Sequence, residues 1–508
     1  MDTGKQIRSA LVSVYHKDRL DEIVIKLHQL GIKLISTGGT AQFIESLGLP
    51  VQTVESLTGY PGILSGRVKT LHPKVFGGIL ARREQSSDMK SLEELGIPEI
   101  DLVVVDLYPF ERTVESGADL PDIIEKIDIG GISLVRAAAK NYADVVIIPS
   151  VEHYPDLLDI LERGGGVTSM EERYKLAVEA FAVSSWYDAA IHNYLAGPDP
   201  VHFRKGAGPS RLLRYGENPH QKGFFYGELN QVFDQLHGKE ISYNNLQDID
   251  AAIALIDEFT GTTFAILKHT NACGIASRPV LKDAWKLALA ADPVSAFGGI
   301  LVTNRPVDKV TAEEINQLFF EVIVAPGYDQ GTLEILKQKK NRIILARKPG
   351  LGTARTQFRS LLNGVLVQDR DLSQERSGDL KVVTTRSPSP SETEDLLFAN
   401  ILVKHTKSNA IVLVKDRQLL ASGTGQTSRV DALRQAVGKA HGFGIDLQGA
   451  VMASDAFFPF ADSVEIAHRA GIRSVIQPGG SVRDQDTIDY CNSNGLAMVF
   501  TGIRHFKH

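Results

Sequence analysis

Lys268, His269 and Asn271 stand at the end of an apolar run, and that arrangement is the chain's first chemical signature. Phe264-Ala-Ile-Leu-Lys-His-Thr-Asn-Ala-Cys-Gly274 reads as a strand that delivers these polar groups together into a loop. An imidazole titrates near neutrality and can move a proton, while a neighbouring ammonium and amide hold developing charge. The plain alternative is a solvated turn.

Other strings share this doubleness. Ser36-Thr37-Gly38-Gly39-Thr40 lies between a short strand and a helix, so its free amides and hydroxyls form either an anion cradle or an ordinary turn with a threonine cap. Ser65-Gly66-Arg67-Val68-Lys69-Thr70-Leu71-His72-Pro73 puts two cations in a loop, and Tyr108 follows a buried-looking strand at the end where open α/β sheets gather ligands. Asp128 precedes a helix over 132–142 that carries Arg136 and Lys140; capping is its structural alternative. Arg214-Tyr215-Gly216-Glu217-Asn218-Pro219-His220-Gln221 is dense in guanidinium, phenol, amide and imidazole, a mixture suited to a planar ligand with an anionic tail. Asp292 to Gly299 leads into another strand, and Gly423 to Arg429 is a second glycine-threaded loop before a helix. The basic run Arg504 to His508 is a chain end, expected to fray.

The elements that must position these groups follow from periodicity. Ile7–Val14 and Ile32–Ile35 read as strands around a helix bearing Leu20, Ile23, Val24 and Leu27, and alternation continues to Ser150, which predicts a parallel sheet covered on both faces. Residues 153–194 read as largely helical, and the Gly/Pro-rich run Ala196 to Ser210 marks a boundary, giving domains over 1–200, with its sheet core in about 1–150, and 201–508. Within the second part, Leu402 to Ala410 echoes Ile266 to Ala272, and Ala453 to Phe458 echoes the Asp292 segment. These echoes fit either two related α/β halves, about 201–375 and 376–508, with the similar strings on matching strands, or chance similarity of short strings, since Lys268 to Phe297 spans 29 residues and Lys404 to Phe457 spans 53. At 508 residues with a net charge of -6, two cysteines, no apolar run of membrane length and no signal-like start, the chain reads as a cytoplasmic globular protein that neither coats nucleic acid nor spans a membrane.

Taken in order, Ser-Thr-Gly-Gly-Thr, Ser-Gly-Arg-Val-Lys-Thr-Leu-His-Pro, Leu-Tyr-Pro-Phe, Ile-Asp-Ile-Gly-Gly, Arg-Tyr-Gly-Glu-Asn-Pro-His-Gln, Lys-His-Thr-Asn, Asp-Pro-Val-Ser-Ala-Phe-Gly-Gly and Ser-Asp-Ala-Phe-Phe-Pro-Phe resemble the bifunctional family that joins AICAR transformylase to IMP cyclohydrolase. The resemblance spans nearly the whole chain. It implies a methylglyoxal-synthase-like parallel-sheet domain followed by two cytidine-deaminase-like halves, a homodimer, and 10-formyltetrahydrofolate as cosubstrate with no catalytic metal.

It also implies roles. Lys268 and His269 would serve formyl transfer to AICAR, with Asn271 and Asn409 as amide contacts, Arg214, Arg429 and Arg504 on the nucleotide, Tyr215 and Phe457 packing rings, Phe297 and Gly298 offering backbone, and Asp462 facing the folate. Lys69, Tyr108, Asp128 and Lys140 would close the ring of formyl-AICAR, while Ser13, Lys17, Thr37, Gly38, Gly39, Thr40, Arg67 and Thr70 hold substrate. Ala272 departs from the proline common after the Lys-His-X-Asn string. Two rivals remain: a nucleotide-sensing binding protein without turnover, and a zinc hydrolase, which lacks the His-x-Glu and Pro-Cys-x-x-Cys ligands.

Overall fold

Short apolar runs punctuated by glycine become a parallel sheet in the first part of the chain. The computed structural model describes residues 4–198, 201–350 and 354–508 and divides into two units, Met1–Gly206 and Ala207–His508. The boundary expected at residue 200 falls beside Asp199 and Pro200, which lie outside the described residues.

In the first unit the spatial order is Gln52–Thr53, Lys33–Ser36, Ser9–Val14, Leu102–Asp106, Val146–Ile148, all parallel. Successive residues Ala10, Leu11 and Val12, and likewise Leu102, Val103 and Val104, are all buried, so both faces of the central strands are covered. The order reverses between Ser9–Val14 and Leu102–Asp106, and a crevice opens beyond their carboxyl ends, where Val14 pairs with Asp106. The helix after Lys33–Ser36 runs Gly38–Ser46, so it begins at the glycines rather than at Ala41. The long helical reading resolves into Tyr154–Gly164, a short strand Val167–Thr168 and Met170–Ala196, the last opened by a Ser169/Glu172 capping box.

The second unit is built on one twelve-stranded sheet. Its first half contributes Phe233–His237, Ile343–Arg347, Phe320–Ala325, Gly299–Thr303, Thr263–Lys268 and Asn271–Ser277, in spatial order. Its second half continues with Gln418–Gly423, Ile411–Lys415, Val451–Ser454, Ser474–Gln477, Ala497–Phe500 and Lys381–Val382. Each half has a hairpin, three mutually parallel strands and one antiparallel edge strand, and the two hairpins meet at the centre. Side chains alternate accordingly: Ala265 and Leu267 enter a core shared by both halves, with Ile249, Leu396 and Val412, while Phe264 and Ile266 pack with Trp285 on the other face.

Two halves are therefore present, but the echoes in the sequence do not lie on matching elements. Lys404 ends the helix Pro390–Lys404, whereas Lys268 ends a strand; Asp292 precedes a strand, whereas Asp455 follows one. The structural repeat runs instead from the helix Tyr243–Ile256 to the helix Pro390–Lys404. Asp248 and Asp395 occupy the same place in these helices, and the spacing from Asp248 to His269 equals that from Asp395 to Asp416. Both hairpin turns use two consecutive left-handed residues, His269 and Thr270 (φ 49 and 63) and Asp416 and Arg417 (φ 52 and 53), the backbone of a tight hairpin turn.

In each half a glycine of the inner hairpin strand lets a helix close on the sheet. A Cβ on Gly274 would lie 1.9 Å from Ala288 O, and one on Gly423 would lie 1.7 Å from Ala432 O. No helix among the described residues is long and apolar enough to cross a membrane. Gly274→Ala is expected to destabilise the second unit by about 1–3 kcal/mol through overpacking. Gly364→Ala, which meets nothing within 4 Å, leaves the urea midpoint unchanged.

Candidate active sites

The first candidate site lies at the crevice of the parallel sheet. Lys17 folds back so that its Nζ donates to Val14 O at 2.5 Å, Tyr15 O at 3.1 Å and Thr40 Oγ1 at 3.2 Å. Burial pushes this ammonium below the usual lysine range, and the Asp106 carboxylate opposes the shift. Thr40 Oγ1 in turn donates to Val14 O at 2.9 Å, which ties the Thr37–Thr40 turn to the central strand carrying Ser13. Gly38 and Gly39 form the first turn of their helix with no side chains, and Gly38 is left-handed at φ 54, so amides point at a site open to an anion.

Lys69 reaches this cradle across two glycines. A Cβ on Gly62 would lie 3.1 Å from Lys69 Cγ, one on Gly66 would lie 2.8 Å from Lys69 Cε, and one on Gly38 would lie 3.1 Å from Lys69 Nζ. The ammonium therefore stands against the Thr37–Thr40 turn. Thr70 is buried, and a Cβ on Gly130 would come within 3.1 Å of its Oγ1, so the loop also packs on the Asp128 helix. Arg67 pairs with Glu125, both exposed.

Asp128 accepts from Gly131 N at 2.6 Å and Ile132 N at 3.3 Å, so it does cap the helix Gly130–Lys140. Burial raises its carboxyl above the ordinary aspartate range; the Gly131, Ile132 and Tyr108 amides resist that shift and Asp106 adds to it. Asp128 and Tyr108 are thus neighbours, and Lys126 sits 5.7 Å from the Tyr108 ring centroid, a cation that the motifs did not single out. Lys140 is not among them. It stands at the opposite end of the helix, about 18 Å along the axis from Asp128. There it lines a cavity of about 570 Å³ with Arg136, Tyr174, Val178 and Phe181.

The second candidate site surrounds the Lys268 hairpin. Lys268 Nζ donates to Phe297 O at 2.8 Å and Gly298 O at 3.1 Å, which leaves one ammonium hydrogen uncommitted to these carbonyls. Gly298 is left-handed at φ 68, and a Cβ there would lie 3.1 Å from Lys268 Nζ. The strained His269–Thr270 turn is pinned by Asp248, whose Oδ1 accepts from Thr270 N at 2.6 Å. Burial raises the Asp248 carboxyl, while that amide and the charges of His269 and Lys268 resist.

Asn271 bridges the halves. Its Nδ2 donates to His269 O at 2.8 Å, and its Oδ1 accepts from Lys407 N at 2.9 Å. Two residues on, Asn409 donates to Gln426 O at 2.9 Å and accepts from Arg429 Nη2 at 2.9 Å. Arg429 also donates to Asp455 Oδ1 at 2.7 Å, a pair in which the carboxylate is fully buried, and to Phe457 O at 3.2 Å. One chain of contacts thereby joins Asn271, Asn409, Arg429 and Phe457.

The remaining residues sit around this chain or apart from it. Phe297 is 61 % exposed and stacks 5.0 Å from Phe319, and Phe457 is 39 % exposed; both are apolar surfaces open to a ring. Asp462 opens the helix Asp462–Arg469 and accepts from Ser463 N at 2.7 Å. Arg214 lies 5.5 Å from the Tyr215 ring on a loop fastened by Glu217 O to Asn244 of the Asp248 helix. Arg504 stacks on Phe506 at 4.4 Å. Sequence reasoning passed over Asp248 and Asp455. Asp455 lies inside the Ser-Asp-Ala-Phe-Phe-Pro-Phe string, but nothing local marks Asp248.

A glycine cradle on a parallel sheet, joined to a duplicated α/β unit with a Lys-His hairpin, defines a two-site enzyme class. Residues 138–439 match the family model described as the AICARFT/IMPCHase bienzyme, residues 19–133 match the MGS-like domain, and the chain belongs to the AICARFT/IMPCHase bienzyme family. It is 65% identical over 508 residues to the bifunctional purine biosynthesis protein PurH of Bacteroides thetaiotaomicron, covering 100% of each chain. It is 46% identical over 516 residues to the PurH of Persephonella marina, covering 99% of this chain and 100% of that one. With the PurH of Aquifex aeolicus the identity is 46% over 510 residues, covering 98% and 100%.

Because Asp128 is held above its ordinary range by burial, its folded form binds the proton more tightly than its unfolded form. Stability is then lost as pH rises through that raised value. Asp128→Asn is expected to raise the unfolding midpoint at pH 7, and the gain vanishes below the ordinary aspartate range. Denaturation at the two pH values checks this.

Proposed function

We propose that the chain carries out two consecutive steps of purine construction, with formyl transfer in the second unit and ring closure in the first. Full-length identity to the PurH proteins supports the pair of activities. The observation that carries the residue assignment is the Asp248-pinned turn, which holds Lys268 and His269 at a strand end with Asn271 touching the other half.

In the transfer step the 5-amino group of AICAR attacks the formyl carbon of 10-formyltetrahydrofolate. His269 takes the amine proton, and the free hydrogen of the Lys268 ammonium faces the oxygen on which charge develops. The bond from formyl carbon to folate N10 then breaks, and N10 takes a proton, leaving tetrahydrofolate and formyl-AICAR. Arg429 and Asn409 orient the nucleotide, Phe297 and Phe457 offer ring faces, Asp462 faces the folate, and Arg214, Tyr215 and Arg504 border the site.

In the closure step the carboxamide nitrogen of formyl-AICAR attacks its own formyl carbon, and the resulting hydroxyl leaves as water. Both groups sit on one imidazole, so proximity supplies much of the rate. The Thr37–Thr40 amides with Lys17 bind the phosphate, Lys69 reaches past that turn toward the reacting groups, and Asp128, whose carboxyl is poised upward by burial, exchanges protons beside Tyr108. All proton transfers are assigned to side chains, without a catalytic metal. Lys140 does not join this group within one copy. We place the working enzyme as a homodimer, which sedimentation would show as a single species of twice the chain mass.

Purified protein given AICAR and 10-formyltetrahydrofolate is expected to yield tetrahydrofolate and inosinate. His269→Ala should lower formyl transfer by about 10²- to 10⁴-fold and leave closure of supplied formyl-AICAR unchanged. Equal loss of both activities in a folded variant would refute two separate sites.

A further inference from the structure

The proposed chemistry leaves a buried histidine and its two carboxylate partners unused. His505 is 2 % exposed, and its ring nitrogens face two carboxylates: Nδ1 lies 2.6 Å from Asp371 Oδ2, and Nε2 lies 3.2 Å from Glu375 Oε1. A carboxylate only accepts, so a ring bonded to one at each nitrogen donates from both and is the imidazolium. Burial by itself would favour the neutral ring, but the bonds to Asp371 and Glu375 outweigh it and hold His505 up at about 9.

The segment carrying these carboxylates is itself fastened to the helix Pro390–Lys404. Glu375 Oε2 accepts from Asn400 Nδ2 at 2.7 Å, and Ser373 O accepts from Lys404 Nζ at 2.5 Å. Lys404 also pairs with Glu258 Oε2 at 2.7 Å, and Glu258 meets the His405 ring. From this anchor the chain runs back along the second site. His505 N donates to Asp455 O at 3.0 Å, Ser408 N to Lys507 O at 2.8 Å, Lys507 N to Ser408 Oγ at 3.0 Å, and Lys507 Nζ to His405 O at 3.0 Å. Asp455 is the carboxylate that holds Arg429, and Ser408 directly precedes Asn409. Residues 505–507 therefore span the two segments that set Arg429 and Asn409 at their mutual distance.

We propose that His505, clamped between Asp371 and Glu375, is a positioning residue for the transferase site, fixing residues 505–507 as the brace that holds Ser408–Asn409 and Asp455 in place. The inference rests on the assignment of Asn409 and Arg429 to nucleotide binding. Removing the imidazolium leaves Asp371 and Glu375 as like charges with nothing between them, in a place where Glu375 has little access to water. The brace then loosens while Lys268, His269 and the first unit keep their own supports.

The test uses the full chain and His505→Gln, which keeps a donor and loses the charge. The amides of Ser408, His505 and Lys507 should exchange with deuterium about tenfold or more faster, an opening of the local contacts. KM for AICAR should rise about tenfold, with a smaller change in kcat, as expected when ground-state and transition-state binding are lost alike. Closure of formyl-AICAR should be unchanged. Asp371→Asn should act in the same direction, and the double variant should fall short of additivity, since both remove one interaction; should His505→Gln fail to fold, Asp371→Asn carries the same readouts. Unchanged exchange and KM in a folded variant, or equal loss of both activities, would overturn the proposal. If the wild type transfers no formyl group, the functional assignment fails on its own, because the exchange measurement needs no substrate and still judges the brace.

Discussion

Two consecutive residues with side chains, His269 and Thr270, are held in the left-handed region, a conformation that costs about 1–2 kcal/mol per residue. The second candidate site depends on meeting that cost. A single carboxylate meets it: Asp248 accepts the Thr270 amide, and the charges of His269 and Lys268 favour its ionised form against burial. The dependence is mutual. The turn presents both side chains, and their nearness resists the upward push that burial gives the acid pinning the turn. Lys268 is then fixed by the Phe297 and Gly298 carbonyls, and Asn271 passes the geometry to the second half through the Lys407 amide.

The first site reaches its geometry by subtraction. Gly62 and Gly66 leave a channel along which the Lys69 side chain lies, and Gly38 leaves room where its ammonium arrives. Lys17 then supplies a second cation whose burial is relieved by three oxygen acceptors. Nothing in this site resembles the carboxylate-pinned hairpin of the other, which suits the two reactions proposed for them: one would bring two molecules together around a weak nucleophile, the other would fold a single molecule that already carries both reacting groups.

Much of this was legible in the residues. The glycine turn at Thr37–Thr40, the strand ending at Lys268 and the capping place of Asp128 all follow from local rules, because their signals lie within a few residues of one another. What was not legible depends on distance along the chain. Asp248 and Thr270 meet only because a helix crosses behind a hairpin, and the Lys69 path needs glycines whose emptiness has no local mark. Lys140 ends the helix that Asp128 caps, so the length of that helix alone puts them apart. The repeat was inferred from the wrong strings: Lys404-His405 looks like Lys268-His269 but ends a helix, whereas the true counterparts, Lys415-Asp416-Arg417, share only the lysine. A repeat preserved in backbone geometry leaves little trace in side chains once only the turn, the pin and the helix contact are constrained.

That divergence has a use. The second hairpin repeats the first down to its left-handed pair and its acid: Asp395 accepts from Asp416 N at 2.8 Å and Arg417 N at 2.6 Å, and Lys415 Nζ donates to Gln448 O at 2.7 Å as Lys268 does to its own loop carbonyls. Where one turn offers an imidazole, its twin offers a carboxylate. The molecule therefore carries an internal reference, a blank built on the same frame, against which whatever His269 contributes can be credited to the ring itself and not to the scaffold beneath it.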